Sequence, residues 1–599
     1  MKKRVADIIM NTLVDLGVSD CFAVVGGGAM YLDNALLHCN NMRKIFNHHE
    51  QASAIAAEGY ARLSGRIPLV CCTSGPGTTN TLTGVMGAWV DSIPMLIISG
   101  QMRYAVTVKA SGLPLRSRGS QEFNIVDTVK TMTKYSRMVI NPNDIKYEVE
   151  KAYHIAMSGR RGPVWLDIPL DVQMAEIEEN NLKEYRPEEN VYSVKYSDIK
   201  QLRNLITLSK RPVILAGQSI AATGNLDKFK TLVNKIGIPV VSTLNASDVL
   251  GRECSYFYGG VGTSGQRAAN FIIQNADFIL TLGASLDLNT TGYNQDEFAK
   301  NAYIAMVDID VFEVQKPGVR VDYFIHSDLG TFIDAILVDV EKLNVTVEWK
   351  NYCDSLKQKF SYFEASDSVV ADDRVCQYYF WKEFEKYEEN DAITALGNNT
   401  AIVAKLQAGV LKTGQRIICN YHCGSMGYDL PAAEGAAVAS GRTVYCATGD
   451  GSIMMNLQEL QTIHHYNLPI KIIVFSNEGY NAIRQTSKNY FDGELIGCTP
   501  ATGVSFPHFD KVADTFEFKF RECHTNAEVD ESIKWLVNTD GQVMLLVDEL
   551  LDDPVVPKVM SRVDENGNFM TPALQDMYPF LPKEEINKFM KLSEDAYYE

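Results

Sequence analysis

A chain of 599 residues, 46% hydrophobic and 22% charged, has the composition of a water-soluble globular protein and the length of three or four domains. A formal net charge of −18 without any long basic run argues against a nucleic-acid partner. No stretch approaches the ~18 consecutive apolar residues of a membrane span. The twelve cysteines lack paired metal-ligand spacing, and no signal-type apolar core follows Met1–Ala6, so a reducing cytoplasmic setting is expected.

In chain order, short apolar strands alternate with helices from the start. Cys21–Val25 reads as a strand ending in Gly26-Gly27-Gly28. Lys44–Asn47 leads into His48-His49-Glu50 and an Ala-rich helix from Gln51 to Leu63. Leu69–Thr73 is followed by the turn Ser74-Gly75-Pro76-Gly77 and another helix, then by a strand at Met95–Ser99 and a closing strand at Val164–Ile168. An acid-rich stretch over 180–195 reads as a linker. A second unit has strands near Val213–Ala216, Val240–Thr243, Phe278–Leu282 and Ile304–Val307. A mixed charged connection over 340–370 leads to a third unit, and the proline-bearing tail from Leu551 is expected to wrap the surface. The expected fold is α/β, with three domains each built on a mainly parallel sheet flanked by helices. They span 1–180, 190–345 and 370–550, with a tail over 551–599.

The third unit carries the most informative pattern. The apolar run Val444–Ala447 ends in Gly449-Asp450-Gly451-Ser452, and Ile453–Tyr466 reads as a helix. A second apolar run, Ile470–Phe475, ends in Asn477-Glu478-Gly479. A strand–helix–strand unit makes the two strands parallel, and adjacent parallel strands lie ~4.8 Å apart, so Asp450 and Asn477 emerge side by side at one sheet edge. That edge is where open α/β sheets bind ligands. A carboxylate and an amide oxygen suit a hard cation such as Mg²⁺, and the glycines let backbone N–H groups approach a phosphate at a helix start. A metal-bridged diphosphate is the natural occupant.

The GDG motif with Asn477 27 residues beyond Asp450 resembles the signature of thiamine-diphosphate enzymes. His49-Glu50-Gln51 with Ala56-Ala57-Glu58-Gly59-Tyr60-Ala61-Arg62 is similar to the cofactor-activating segment of the acetolactate (acetohydroxyacid) synthase group. So are Thr73-Ser74-Gly75-Pro76-Gly77 with Asn80, Arg161-Gly162-Pro163-Val164 with Asp167-Ile168-Pro169, Gly424-Ser425-Met426-Gly427, and Leu430-Pro431-Ala432-Ala433. The resemblance implies that Glu50 binds the cofactor's pyrimidine ring and drives loss of its reactive proton. Burial at a strand end before a helix poor in charge would hold such a carboxyl protonated. The resemblance further implies that Met426 wedges between the cofactor's rings, its flexible thioether suiting such a gap, and that the Gly424 carbonyl takes the pyrimidine amine. Asp450, Asn477 and the Gly479 carbonyl would ligate Mg²⁺, while Gly451 and Ser452 bind the diphosphate. Gly397-Asn398-Asn399 resembles a second diphosphate turn, with amides where the family has Gln-His. In the family the turn equivalent to Gly26-Gly27-Gly28 lines the reaction centre, which implies that a backbone N–H at Gly27 faces developing negative charge, and Gln121-Glu122 resembles the family's Phe-Gln-Glu segment, which implies that Gln121 bonds substrate.

Two positions depart from the acetolactate synthases. Ser120 stands where they carry Phe, and Thr486 where they carry a Trp. Each aromatic would bury ~150–250 Å², so the substrate pocket around Ser120, Gln121 and Thr486 is expected to be wider and wetter. The implied activity is decarboxylation of pyruvate or another 2-ketoacid donor and transfer of the two-carbon unit to a carbonyl acceptor, a keto sugar included. The alternatives are a decarboxylase or C–C bond hydrolase without a carbonyl acceptor, and a catalytically silent regulatory subunit. In the middle unit, Gly259-Gly260-Val261-Gly262-Thr263, Leu282–Asp287 and Val307-Asp308-Ile309-Asp310 resemble segments that hold a non-redox FAD. However, Ser285-Leu286-Asp287-Leu288-Asn289 loses both arginines of the family's stretch, so FAD is an open possibility. The resemblance also implies a homodimer or homotetramer with active sites between subunits.

Overall fold

The computed structural model describes residues 2–188, 192–339, 346–360, 374–398, 400–408, 411–563 and 569–590. Three six-stranded sheets form its framework, and every pairing within them is parallel. The first runs, edge to edge, Arg43–Phe46, Asp20–Ala23, Leu69–Cys72, Met95–Gln101, Pro163–Pro169 and Tyr135–Met138. The third runs Arg416–Ile418, Ile393–Leu396, Val444–Gly449, Ile470–Ser476, Val543–Asp548 and Lys519–Cys523. Numbered within each unit, both have the strand order 2-1-3-4-6-5. The middle sheet differs. Its order, Phe257–Val261, Val240–Thr243, Pro212–Ala216, Phe278–Leu282, Tyr303–Asp308, Tyr323–His326, is the doubly wound 3-2-1-4-5-6.

Interior strands lie where the apolar runs predict them, because burial on both faces demands continuous hydrophobic sequence. The departures fall at edges. Pro163–Pro169, expected to close its sheet, is an interior strand, and the edge is Tyr135–Met138, whose half-buried Tyr-Ser and exposed Arg carry no apolar run. Phe257–Val261 is a strand despite its Gly pair. Gly259 sits at φ +100 with the Gln266 carboxamide oxygen 1.6 Å from where a Cβ would be, so only glycine fits. The helix expected over Ile453–Tyr466 is two short ones, Asp450–Ile453 and Glu459–His465, and the break frees Asn456 to donate to the Gly427 carbonyl at 2.7 Å. The connection over 340–370 holds the helix Val347–Lys359, whose start Thr346 caps and whose Trp349 is buried.

The first and third units share one core, with Phe22, Tyr60 and Trp165 in the same apolar cluster as Tyr428, Ile472 and Met544. Two helices make the junction: Glu50–Ser64 and Asp429–Ser440. Both are buried all round and dominated by Ala and Gly, which lets their backbones touch. The crossing is antiparallel: Gly59 abuts Ala432, Gly435 abuts Ala56 and Tyr60, and Arg43, just before the first helix, reaches the Val438 carbonyl. The tail returns over the middle unit, where Val559 donates to Thr263, Arg267 to the Met577 and Pro579 carbonyls, and Asn275 to that of Phe589.

Candidate functional site

In the third unit the sequence-predicted residues converge at the carboxyl ends of strands 1, 3 and 4. Gly449 pairs with Phe475, so the next residues, Asp450 and Ser476–Asn477, leave the sheet together. Asp450 accepts from the Ser476 hydroxyl at 3.0 Å and the Glu478 N–H at 2.8 Å. Burial raises its carboxyl to about 6, only partly opposed by these hydrogen bonds. The Asn477 amide is fixed from both ends, donating to Glu549 at 2.9 Å and accepting from Arg484 at 2.8 Å. Gly451 and Gly479 admit no side chain: a Cβ would lie 2.2 Å from the Tyr480 ring in the first case and 2.0 Å from the Cys498 carbonyl in the second. Ser452 donates to buried Asp429 at 2.5 Å and accepts from the Gly427 N–H, which ties the Gly424–Gly427 turn to the Asp450 helix start. Gly397 packs against the same Asp429 carboxylate, and Asn398 lies 3.6 Å from the Cβ position of Gly424. Met426 is half-buried in this turn. Asn399 lies outside the described residues.

The first unit assembles a second group. The Glu50 carboxylate accepts from Asn80 at 2.9 Å, and its other oxygen is 3.3 Å from the Cβ position of Gly77. Gly28 donates to the Thr73 hydroxyl at 3.0 Å, while Gly27 is exposed with open space before it. Gln121 sits at φ +60 with its carbonyl against Gly75, and Ser120 beside it is exposed. Glu50 is half-buried rather than enclosed.

The two groups are apart. The antiparallel crossing sets Glu50 at one end of its helix, whereas Asp429, Met426 and the Asp450 turn lie toward the other end. A 15-residue helix spans about 20 Å. Ser120 and Gln121 therefore do not meet Thr486, which lines a cavity of about 440 Å³ with Asn398, Asn481, Gln485 and Tyr490 against the middle unit and the tail.

Comparison with known proteins gives this geometry its context. Residues 3–126, 199–336 and 395–547 match, respectively, the N-terminal TPP binding, central and C-terminal TPP binding domains of thiamine pyrophosphate enzymes. The chain belongs to the thiamine pyrophosphate enzyme family. The acetolactate synthase large subunit of Lactococcus lactis is 32% identical over 90% of this chain and 91% of its own length. Isozyme 2 of Escherichia coli is 28% identical over 92% and 97%, and the chloroplastic acetolactate synthase 1 of rice 29% over 93% and 86%.

The thiamine-family cofactor fits the third unit on the donor chemistry present. Asp450 is a buried carboxylate with no cationic partner among the described residues, beside an oriented amide oxygen and two glycines whose backbone N–H groups reach its carboxylate. Among the described residues no group of three or more His, Cys, Asp or Glu side chains could hold a metal. That is the donor set of Mg²⁺ shared with phosphate oxygens, which needs one or two carboxylates rather than a cage. Motif reading misses Asp429, Arg484 and Glu549, which orient the motif residues. Asp429 and Glu549 act through pairs 23 and 72 residues apart, which leave no local spacing to detect, whereas Arg484 reaches back seven residues to Asn477. It also misses a chain of charges where the three units meet. Arg62 joins Glu58 at 2.5 Å and Asp91 at 2.7 Å, and His422 joins Asp91 at 2.5 Å and Asp287 at 2.9 Å. No described helix is long and apolar enough to cross a membrane.

Proposed function

We propose that this chain is a thiamine-diphosphate- and Mg²⁺-dependent carboligase that takes the two-carbon unit of pyruvate or a related 2-ketoacid and joins it to a carbonyl acceptor of the keto-sugar class. The observation that carries this reading is the pairing of the buried Asp450 carboxylate with the Asn477 amide at one sheet edge, above helix-start glycines. When bound, the cofactor supplies the carbanion chemistry that releases CO₂ and makes the carbon–carbon bond. Asp450, Asn477 and the Gly479 carbonyl would hold the metal, with Gly451, Ser452, Gly397 and Asn398 at the diphosphate. Met426 and the Gly424 carbonyl would hold the rings, and Glu50 would serve as the proton-exchanging carboxyl for the pyrimidine. Gly27 and Gln121 face the donor. The acceptor enters beside Thr486, where amides and hydroxyls from Asn481, Gln485, Asn489 and Tyr490 match a polyhydroxylated molecule better than a small ketoacid.

The reading requires two copies of the chain, since one copy separates Glu50 from Asp450. Exposed apolar side chains flank both groups: Val25 and Met30 beside the glycine turn, Met454 and Met455 beside the Asp450 turn. Mass spectrometry of products from pyruvate with a panel of carbonyl acceptors tests the proposal. A two-carbon adduct of a keto sugar is expected. Acetolactate alone, formed with indifference to sugars, would remove the sugar assignment. Free aldehyde regardless of acceptor would make the protein a decarboxylase.

A further inference from the structure

The middle sheet reverses its strand order between Pro212–Ala216 and Phe278–Leu282, and a dinucleotide bound to such a sheet lies in the crevice at that point. A cavity is present there, of about 160 Å³, lined by Ser219, Gly283, Ser285, Asp308 and Asp328 and bounded on one side by His422 and Asn245. Beyond that wall is a void of only about 10 Å³, bounded by Asn245, Val261, His422 and Tyr421. Tyr421 in turn forms part of the wall of the 440 Å³ cavity that contains Thr486. The three spaces lie in a row from the switch point to the third unit, and consecutive residues of one turn, Tyr421 and His422, separate them.

The wall is braced. His422 is held by Asp91 of the first unit and Asp287 of the middle unit, and Asn245 lies 3.1 Å from its ring. Tyr421 is within hydrogen-bonding reach of the Ser264 and Thr263 hydroxyls. The electrostatics also oppose a diphosphate bridge. Asp287, Asp308, Glu313 and Asp328 line the first cavity, and its two arginines are already engaged. Arg160 pairs with Asp310 and Glu313, and Arg161 donates to the Ala222 carbonyl at 2.8 Å. Pockets for drug-sized ligands run to ~300–1,000 Å³, and FAD belongs at the upper end of that range. The residues present do not fit it.

We infer that the middle unit is closed to FAD: the Tyr421–His422 turn occupies the course a dinucleotide would take, and the Asp91–His422–Asp287 staple joins the three units in its place. The inference rests on these cavities and contacts alone, so it stands or falls separately from the carboligation reading. The test is flavin content and FAD titration of the purified full chain, read by absorbance and by quenching of flavin fluorescence. The expected result is colourless protein and no saturable quenching at a large excess of FAD, together with at least tenfold tighter FAD binding by Tyr421→Gly/His422→Gly. Saturable binding by the wild-type chain overturns the inference. So does a folded double variant whose FAD affinity is unchanged, because the turn is then not the barrier. If the double variant does not fold, Tyr421→Ala serves in the same comparison, and the wild-type titration decides independently of either variant.

Discussion

His422 is a histidine whose surroundings keep it charged well beyond its ordinary range. Burial works against its charge, but the hydrogen bonds and charges of Asp287 and Asp91 outweigh that and push it up to about 10. Asp91 is itself opposed by burial and then held below the usual carboxylate range by Arg62 and His422, and Asp287 is likewise lowered, chiefly through His422. Also facing the staple are Glu58, beyond Arg62, the neutral Asn245, and Tyr421, Cys419 and Cys423, whose side chains burial keeps neutral. A base whose folded pKa lies above its unfolded value contributes stability fully below the unfolded value, ~6.5, and loses it as pH rises through the folded one. The staple's contribution should therefore be complete near pH 6 and fade toward pH 10. Thermal midpoints of the wild type and His422→Asn, measured in pairs across that interval, should differ most at the acid end and converge at the alkaline end. A difference that stayed constant with pH would mean that charge on His422 is not what joins the units.

The Glu50–Ser64 and Asp429–Ser440 helices show what packing adds to pattern. An Ala- and Gly-rich sequence reads as a helix, but only the crossing explains its glycines. A Cβ on Gly435 would lie 1.8 Å from the Ala56 carbonyl, and one on Gly59 would lie 2.4 Å from that of Ala432. Alanine in a helix interior is favoured over glycine by roughly 1 kcal/mol, yet here the obstructing atoms are backbone and cannot rotate aside. Overpacking of this kind costs ~1–3 kcal/mol, occasionally more, so Gly435→Ala should lower the thermal midpoint by several degrees and reduce activity through the displaced Met426 turn. A variant as stable as the wild type would show that the helices can part without cost. The same contrast marks how far the sequence could be read. The Asp450–Asn477 unit is legible because two buried strands and their polar exits are contiguous in the chain, Glu50 is legible as a carboxylate after a strand end, and Gly397 only through the resemblance of its turn. The edge strand Tyr135–Met138 is not, since one solvated face dilutes its signal. Nor are Asp429, Glu549 and His422, whose partners lie 23 to 331 residues away in sequence and become neighbours only through the fold.

At the scale of the molecule, the antiparallel crossing bears on how many chains make a site. If catalysis needs Glu50 and Asp450 around one cofactor, a single chain that holds them about a helix length apart is incomplete, and two copies related by a twofold axis make two sites, each with Glu50 from one and Asp450 from the other. The arrangement has a sharp consequence for mixtures. Glu50→Gln removes a proton-transfer group and should lower turnover by ~10²–10⁴-fold while leaving cofactor binding intact, whereas Asp450→Asn should abolish Mg²⁺-dependent cofactor binding. Each homodimer is then inactive at both sites. In a mixed dimer one site receives both altered residues and the other receives the intact Glu50 of the Asp450→Asn chain with the intact Asp450 of the Glu50→Gln chain. Co-expressed and separated by distinct tags, the mixed dimer should recover up to about half of wild-type turnover, one working site of two. If both residues of a site came from the same chain, every site in the mixture would carry one defect and no activity would return. Calorimetric titration of the mixed dimer checks the Asp450 defect by itself: thiamine diphosphate with Mg²⁺ should bind with half the wild-type stoichiometry under either arrangement, because only a site with an intact Asp450 holds the metal, so the recovered turnover is what decides between them.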